Sequence, residues 1–148
     1  MEPFGVLAAL LGLVLLATGL GAVWRARTGR VRLATAEGER ISIPGLSPFT
    51  SPVTLLQFST EVCAPCRATS ALLAEIAGRR PDAAHVEIDV TRRPDIVSRF
   101  NLLQSPTTFV LDRHGSLLAR IGGTPRREEL AAVLDGLAAT NRTMTRTA

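Results

Sequence analysis

The sequence predicts an α/β fold, a central mixed sheet flanked by helices, preceded by one N-terminal transmembrane helix. Three observations predict it. Residues 4–24, FGVLAALLGLVLLATGLGAVW, contain no charged side chain. From residue 53 onward, apolar runs of strand length alternate with stretches whose apolar residues recur at helical spacing. The only two cysteines, Cys63 and Cys66, stand three positions apart where the first of those strands gives way to the first of those helices.

The elements follow in order. A helix needs about 20 apolar residues to cross the hydrocarbon core of a bilayer, and residues 4–24 supply them. Trp24 ends the run where an indole suits the headgroup level. The rival reading is a cleaved signal peptide. That plan calls for a basic leader, a shorter apolar run and a small-x-small site. Met1-Glu2-Pro3 carries no basic residue, so the sequence favours an uncleaved anchor contacting membrane lipid through residues 4–24. Arg25, Arg27, Arg30 and Arg32 follow at once, and arginine favours the cytoplasmic side. The expected protein is therefore a single-pass protein of the cell membrane with its C-terminal domain in the cytoplasm, an extracytoplasmic domain being the alternative.

Residues 25–51 read as a basic juxtamembrane segment and tether, with a short strand at 40–43. VTLLQFS (53–59) is a continuous apolar run, as a buried parallel strand requires. Residues 64–79 form a helix, with Pro65 in its first turn and Gly78 near its stop. HVEIDV (85–90) alternates as a strand. Residues 93–102 form a short helix with Asp95 at its start. Strands 107–112 and 116–122 flank RHG as a hairpin. A final helix spans 125–139, with Thr124 as its N-cap. The domain so delimited is 52–139, followed by a flexible tail at 140–148. A helical crossover makes the first two strands parallel, and the pair of cysteines falls at their carboxyl edge, where α/β folds place their sites.

The chain carries a formal charge of +4, and all 17 of its basic residues are arginine. Most of the excess is the cluster at Arg25–Arg32. No basic stripe runs through the rest, which argues against nucleic acid as a partner. One Cys pair, with His85 and His114 on different elements, falls short of the four ligands of a structural zinc site. No metal or organic cofactor is expected. A disulfide closing so small a loop adds little stability, so a purely structural role is a weak alternative.

A helix N-terminus offers free backbone N–H groups and partial positive charge, and both favour a thiolate. The thiolate is the attacking species. Cys63, at the mouth of the turn, is the expected nucleophile. Cys66, one helical turn on, is the expected resolving thiol, which attacks the mixed disulfide and releases the reduced substrate. Pro65 stiffens the turn between them.

The stretches TLLQFSTEVCAPCRATSALLAEIA and VEIDVTRRPDIVSRFNLLQSPTTFVLDRHGSLLARIGG, with the closing helix, resemble the thioredoxin family over residues 52–139, in its membrane-anchored bacterial form. The resemblance implies a thioredoxin-like fold and protein-disulfide oxidoreductase activity through the CAPC motif. It implies a cis Ser105–Pro106 bond packed against the cysteines. It implies a substrate groove formed by Ser105, Pro106, Thr107, Ala64, Pro65 and Gly122, where an extended peptide pairs edge-on. Gly123 shares the family's glycine position with Gly122, and Asp89 matches a structural one. Departures accompany these matches. Gln57 stands where the family often has a buried aspartate that relays a proton. His85 replaces the lysine often paired with it, and its near-neutral pKa makes it a candidate for proton handling beside Gln57. Val62 replaces a tryptophan, Ser59 another aromatic, and Ala64 a glycine. The leading helix of the family has no room before residue 53. These changes point to a dedicated protein-disulfide substrate and a partner dithiol reductase as electron source. The rival classes are an extracytoplasmic oxidoreductase of the cytochrome-maturation or disulfide-forming type, and a non-catalytic binding module.

Overall fold

The computed structural model describes residues 3–34, 40–44, 49 and 51–146. Its elements are α1 (Pro3–Arg27), β1 (Val31–Leu33), β2 (Val53–Ser59), α2 (Ala64–Gly78), β3 (Ala83–Asp89), α3 (Pro94–Arg99), β4 (Thr107–Asp112), β5 (Leu117–Gly122) and α4 (Arg127–Arg146). The expected thioredoxin-like arrangement is present. One five-stranded sheet has the order β1-β5-β4-β2-β3. β2 and β3 are parallel, and every other pair is antiparallel, so the sheet is mixed.

β2 is buried at all seven positions, because both its faces are covered. On one face Leu55 packs with Leu73 and Ile76 of α2, Leu130 and Leu134 of α4, and Val110, Ala119 and Ile121. On the other, Leu56 and Phe58 pack with Ile96 of α3, Phe100, Phe109, Leu111, Ile41 and Ile43. Phe58, Phe100 and Phe109 form a ring cluster, with Phe58 and Phe109 edge-to-face at 5.0 Å. The helices thus pin β2 between two apolar layers and leave its carboxyl end free to present the loop that follows.

Several boundaries differ from the sequence reading. The segment read as a tether contributes β1, which pairs with β5 in the register Val31↔Ile121 and Leu33↔Ala119. The strand expected at 40–43 is reduced to one bridge, Arg40↔Ser116, although Ile41 and Ile43 are buried in the core. Of that expected tether, residues 35–39, 45–48 and 50 lie outside the described residues. α3 is shorter than expected, because Asn101 turns the chain at φ 47° and Leu102 N–H closes back onto the Val97 carbonyl at 2.9 Å. α4 begins later than expected: Leu130 N–H bonds the Arg126 carbonyl, so Arg126 occupies the cap position rather than Thr124. The tail expected to fray is helical through Arg146, and residues 147–148 lie outside the described residues.

α1 is exposed along its length. Residues Phe4–Ala26 are long and apolar enough to cross a membrane, with none of that stretch buried against the domain.

Candidate functional site

The chain leaves β2 at Ser59, crosses an exposed Glu61–Val62 turn and enters α2 through Cys63. Cys63 is the N-cap: its backbone is extended at φ −145°, and the Cys66 N–H donates to its Sγ at 3.2 Å. Pro65 follows in the first turn, where a missing N–H costs no hydrogen bond. Cys63 and Cys66 are joined in a disulfide with Cα atoms 5.2 Å apart. Cys63 is partly exposed, whereas Cys66 is only 2% exposed. A reagent therefore meets Cys63 first. The N–H that reaches its sulfur favours negative charge there whenever the disulfide is open.

The turn ahead of the cysteines is held from β3. Thr91 donates its hydroxyl to Asp89 at 2.6 Å and accepts the Glu61 N–H at 2.8 Å. Hydrogen bonds from the Thr91 hydroxyl and backbone hold the Asp89 carboxyl below its ordinary range. Asp89, expected as structural, thus acts through Thr91, which the sequence reading did not single out.

The second wall is the loop before β4. Ser105–Pro106 is cis, with Pro106 buried and Ser105 partly exposed. Thr107 is buried and donates its hydroxyl to the Gln104 carbonyl at 2.7 Å. Gly123 N–H bonds the Pro106 carbonyl at 2.7 Å and ties the loop to the end of β5. The Arg120 guanidinium donates to the Phe100 carbonyl at 3.0 Å and to the Asn101 carbonyl, bracing the loop from beneath. Gly122 is constrained by a neighbour. A Cβ there would collide with the Gln104 amide, which lies across it. Val62, next to Cys63 in the chain, is 96% exposed, and Leu103, in the loop that leads to Pro106, is 83% exposed.

Beneath the cysteines sits Gln57, fully buried on β2. Its Nε2 donates to the Cys66 carbonyl at 3.0 Å and reaches Glu87 Oε1 at 3.4 Å. Its Oε1 meets no protein donor among the described residues. The parallel register sets Gln57 beside Glu87 and His85 beside Leu55, two pairs further from the cysteines. The group that Gln57 touches on β3 is therefore Glu87, not His85. Glu87 also accepts from Ser70 of α2 at 2.7 Å. His85 is half-buried. Desolvation pushes its pKa below the usual value, with Glu87 opposing that shift. Thr69, one turn beyond Cys66, meets Thr124 hydroxyl to hydroxyl at 3.2 Å, which joins α2 to the end of β5. No group of three or more metal-ligating side chains occurs among the described residues.

The arrangement brings Cys63, Cys66, Ala64, Pro65, Ser105, Pro106, Thr107 and Gly122 to one edge of the sheet, with Gln57 below. Glu87, Thr91, Gln104 and Arg120 are the supports that sequence reasoning missed. A partner for Gln57 on the second strand could have been sought, but choosing Glu87 needs the strand register.

Comparison with known proteins follows the same outline. The family profile described as Thioredoxin matches residues 49–136. Thioredoxin H2 of Arabidopsis thaliana is 34% identical over 74 residues, 50% of this chain and 55% of that protein. The thioredoxin of Staphylococcus haemolyticus is 31% identical over 86 residues, 57% of this chain and 82% of that protein. The chain spans about half the length of the first plant relatives it matches. Among solved structures, thioredoxin-2 of a malaria parasite superposes with a TM-score of 0.54 at 18% identity, over 71% of this chain and 99% of that one. That likeness speaks to the fold.

Proposed function

The chain belongs to the thioredoxin family, and on that premise we propose that it is a membrane-anchored thiol–disulfide oxidoreductase, of the bacterial kind, that reduces disulfides of a partner protein. One observation carries the reading: a Cys63–Cys66 disulfide at the N-cap of α2, with the first sulfur accessible and the second buried.

In the reduced form the Cys63 thiolate attacks one sulfur of a substrate disulfide. The substrate S–S bond breaks, a mixed disulfide forms, and the departing substrate sulfur takes up a proton. Cys66, deprotonated, then attacks the Cys63 sulfur and releases the second substrate thiol. Two electrons pass from the Cys63–Cys66 dithiol to the substrate, and the chain ends as the disulfide seen in the structure. A partner dithiol returns two electrons to restore the starting state. Neither metal nor organic cofactor takes part. Ser105, Pro106 and Thr107, with Gly122 paired beside Thr107, line the edge against which an extended substrate segment lies, and Ala64 and Pro65 complete the groove.

α1 serves as the anchor, the span 4–24 lying in lipid. The fold supports retention of the helix. Its last turn is closed by Thr28 N–H onto the Trp24 carbonyl at 3.0 Å, and Gly29 is hydrogen-bonded into the domain. By the positive-inside rule, the arginines that follow favour a cytoplasmic domain.

The experiment is turnover of insulin disulfides by the full chain with a dithiol donor. Cys63→Ser is expected to abolish turnover and Cys66→Ser to accumulate mixed disulfides. A Cys63→Ser chain that works at the native rate would sink the reading. Sidedness is read with an impermeant reductant followed by an impermeant maleimide. Labelling only after lysis supports a cytoplasmic reductase. Labelling in intact cells moves the same cysteines to an extracytoplasmic pathway.

A further inference from the structure

Three residues, Thr28, Gly29 and Arg30, separate α1 from β1, and they are not slack. Gly29 N–H donates to the Gly122 carbonyl at 2.8 Å. Gly29 takes φ 80°, and a Cβ there would strike the Thr124 carbonyl. The Thr28 methyl lies so close to Gly123 that a Cβ on that glycine would strike it as well. β1 then enters the sheet beside β5, and its Val31 N–H is taken up by Glu129 of α4 at 3.0 Å.

The sheet edge that receives this turn is the one that carries the redox site. Gly123 bonds the Pro106 carbonyl, and Thr124 meets Thr69, one helical turn past Cys66. The end of the apolar helix and the disulfide therefore share one edge of the sheet. α1 projects from that edge with Phe4–Ala26 wholly free of the domain.

The depth can be worked out. Thr28 lies four residues past Trp24, about 6 Å along a helix axis. Each headgroup layer of a bilayer is about 5–8 Å thick. With Trp24 at the boundary of the hydrocarbon, the Gly122–Gly123 edge lies at headgroup level. Val62, next to Cys63, and Leu103, in the loop that leads to Pro106, are exposed apolar side chains.

We propose that the fold holds its disulfide against the bilayer surface, and that its substrate is a cysteine pair at the membrane–water boundary of another membrane protein. The proposal rests on the anchored-reductase reading above. The electron count is the one already given: the Cys63–Cys66 dithiol is oxidised, the partner disulfide is reduced, and a donor dithiol resets the chain.

The test uses the full chain in phosphatidylcholine–phosphatidylglycerol vesicles, reduced with dithiothreitol, desalted and followed through one turnover. The probe is a disulfide-bridged peptide coupled to a phospholipid headgroup. In one form its spacer is three residues, about 10 Å extended. In the other it is a Gly–Ser chain of about thirty residues, about 30 Å in root-mean-square length. The native chain is expected to reduce the short-spacer probe within about threefold of the long-spacer rate. A flexible insert of about twenty Gly–Ser residues between Arg27 and Thr28 lifts the domain by about 25 Å. It is expected to slow the short-spacer probe about tenfold or more and leave a small soluble disulfide unaffected. A native chain that ignores the short-spacer probe, yet floats with the vesicles and reduces the soluble disulfide, overturns the proposal alone. Failure to float removes the anchor, and failure on the soluble disulfide removes the oxidoreductase reading. Either of those results takes the proposal with it.

Discussion

Replacing Gln57 by leucine tests whether the buried amide below the cysteines serves stability or chemistry. The side chain donates to the Cys66 carbonyl at 3.0 Å and more weakly to Glu87 at 3.4 Å. A hydrogen bond between neutral groups contributes about 1 kcal/mol net, and the longer contact adds less than that. Against these gains, Gln57 Oε1 is buried without a protein donor among the described residues. An unsatisfied buried acceptor costs about 1–3 kcal/mol. Leucine has a similar volume, fits between the apolar layers and removes both sides of the account. The result should lie between about 1 kcal/mol less stable and about 2 kcal/mol more stable. In a domain of this size, 1 kcal/mol shifts the thermal midpoint by about 4–8 °C. The assay is thermal unfolding of the oxidised full chain in detergent, alongside decay of a mixed disulfide on Cys63. The midpoint should fall by no more than about 8 °C. Decay of the mixed disulfide should slow about tenfold, because the turn that carries Cys66 loses its positioning contact. A midpoint more than about 15 °C lower, with unchanged decay, would refute the reasoning and make Gln57 a stability residue.

Other outcomes follow from the same geometry. Phe100→Ala opens the ring cluster with Phe58 and Phe109 and should cost about 3–5 kcal/mol in denaturant unfolding. Gly123→Ala places a side chain at φ 85° against Thr28, so a loss of about 1–3 kcal/mol is expected. A neutral result there would mean that the juxtamembrane turn is not docked. His85 has a folded pKa below its unfolded one, so the folded state binds fewer protons. Its contribution is fully present above about pH 6.5 and falls as pH drops from there toward the depressed value. The thermal midpoint should track that slope, and His85→Val should remove it. Asp89, also depressed, contributes above its unfolded pKa and loses that contribution as pH falls through the folded value. Acid should therefore loosen the Glu61 turn, as read by amide exchange at Glu61, whereas Thr91→Val, which removes both hydrogen bonds, should loosen it at neutral pH and flatten the acid response.

What could be read from the sequence was what local pattern dictates. VTLLQFS is mostly apolar because both its faces are covered, and its polar members Thr54, Gln57 and Ser59 are buried with the rest. Cys63-Ala-Pro-Cys66 carries its own helix start, so the site's position came with its chemistry. β1 was not legible. Val31-Arg32-Leu33 is three residues long, lies inside a basic cluster, and owes its strand geometry to Ile121, Arg120 and Ala119 far along the chain. At 40–43 the alternation was real and buries Ile41 and Ile43, but the ladder that would make it a strand is missing beyond one bridge. The end of α4 reads as polar and weakly helical, yet the helix continues through it. Glu87 escaped notice because only the register of β2 on β3 brings it to Gln57.

The strand that follows α1 has a consequence for the order in which the protein is made. Val31 is engaged by Glu129, 98 positions later. At ribosomal rates of about 5–20 residues per second, those two residues emerge about 5–20 s apart. Through that interval α1 has left the ribosome, while the edge that will receive β1 does not yet exist. In a nascent chain α1 is thus joined to the rest by a loose leash, and only completion of the last strand and helix docks that leash onto the sheet. Chains that stop before β5 keep the leash undocked, which sets them apart from finished molecules.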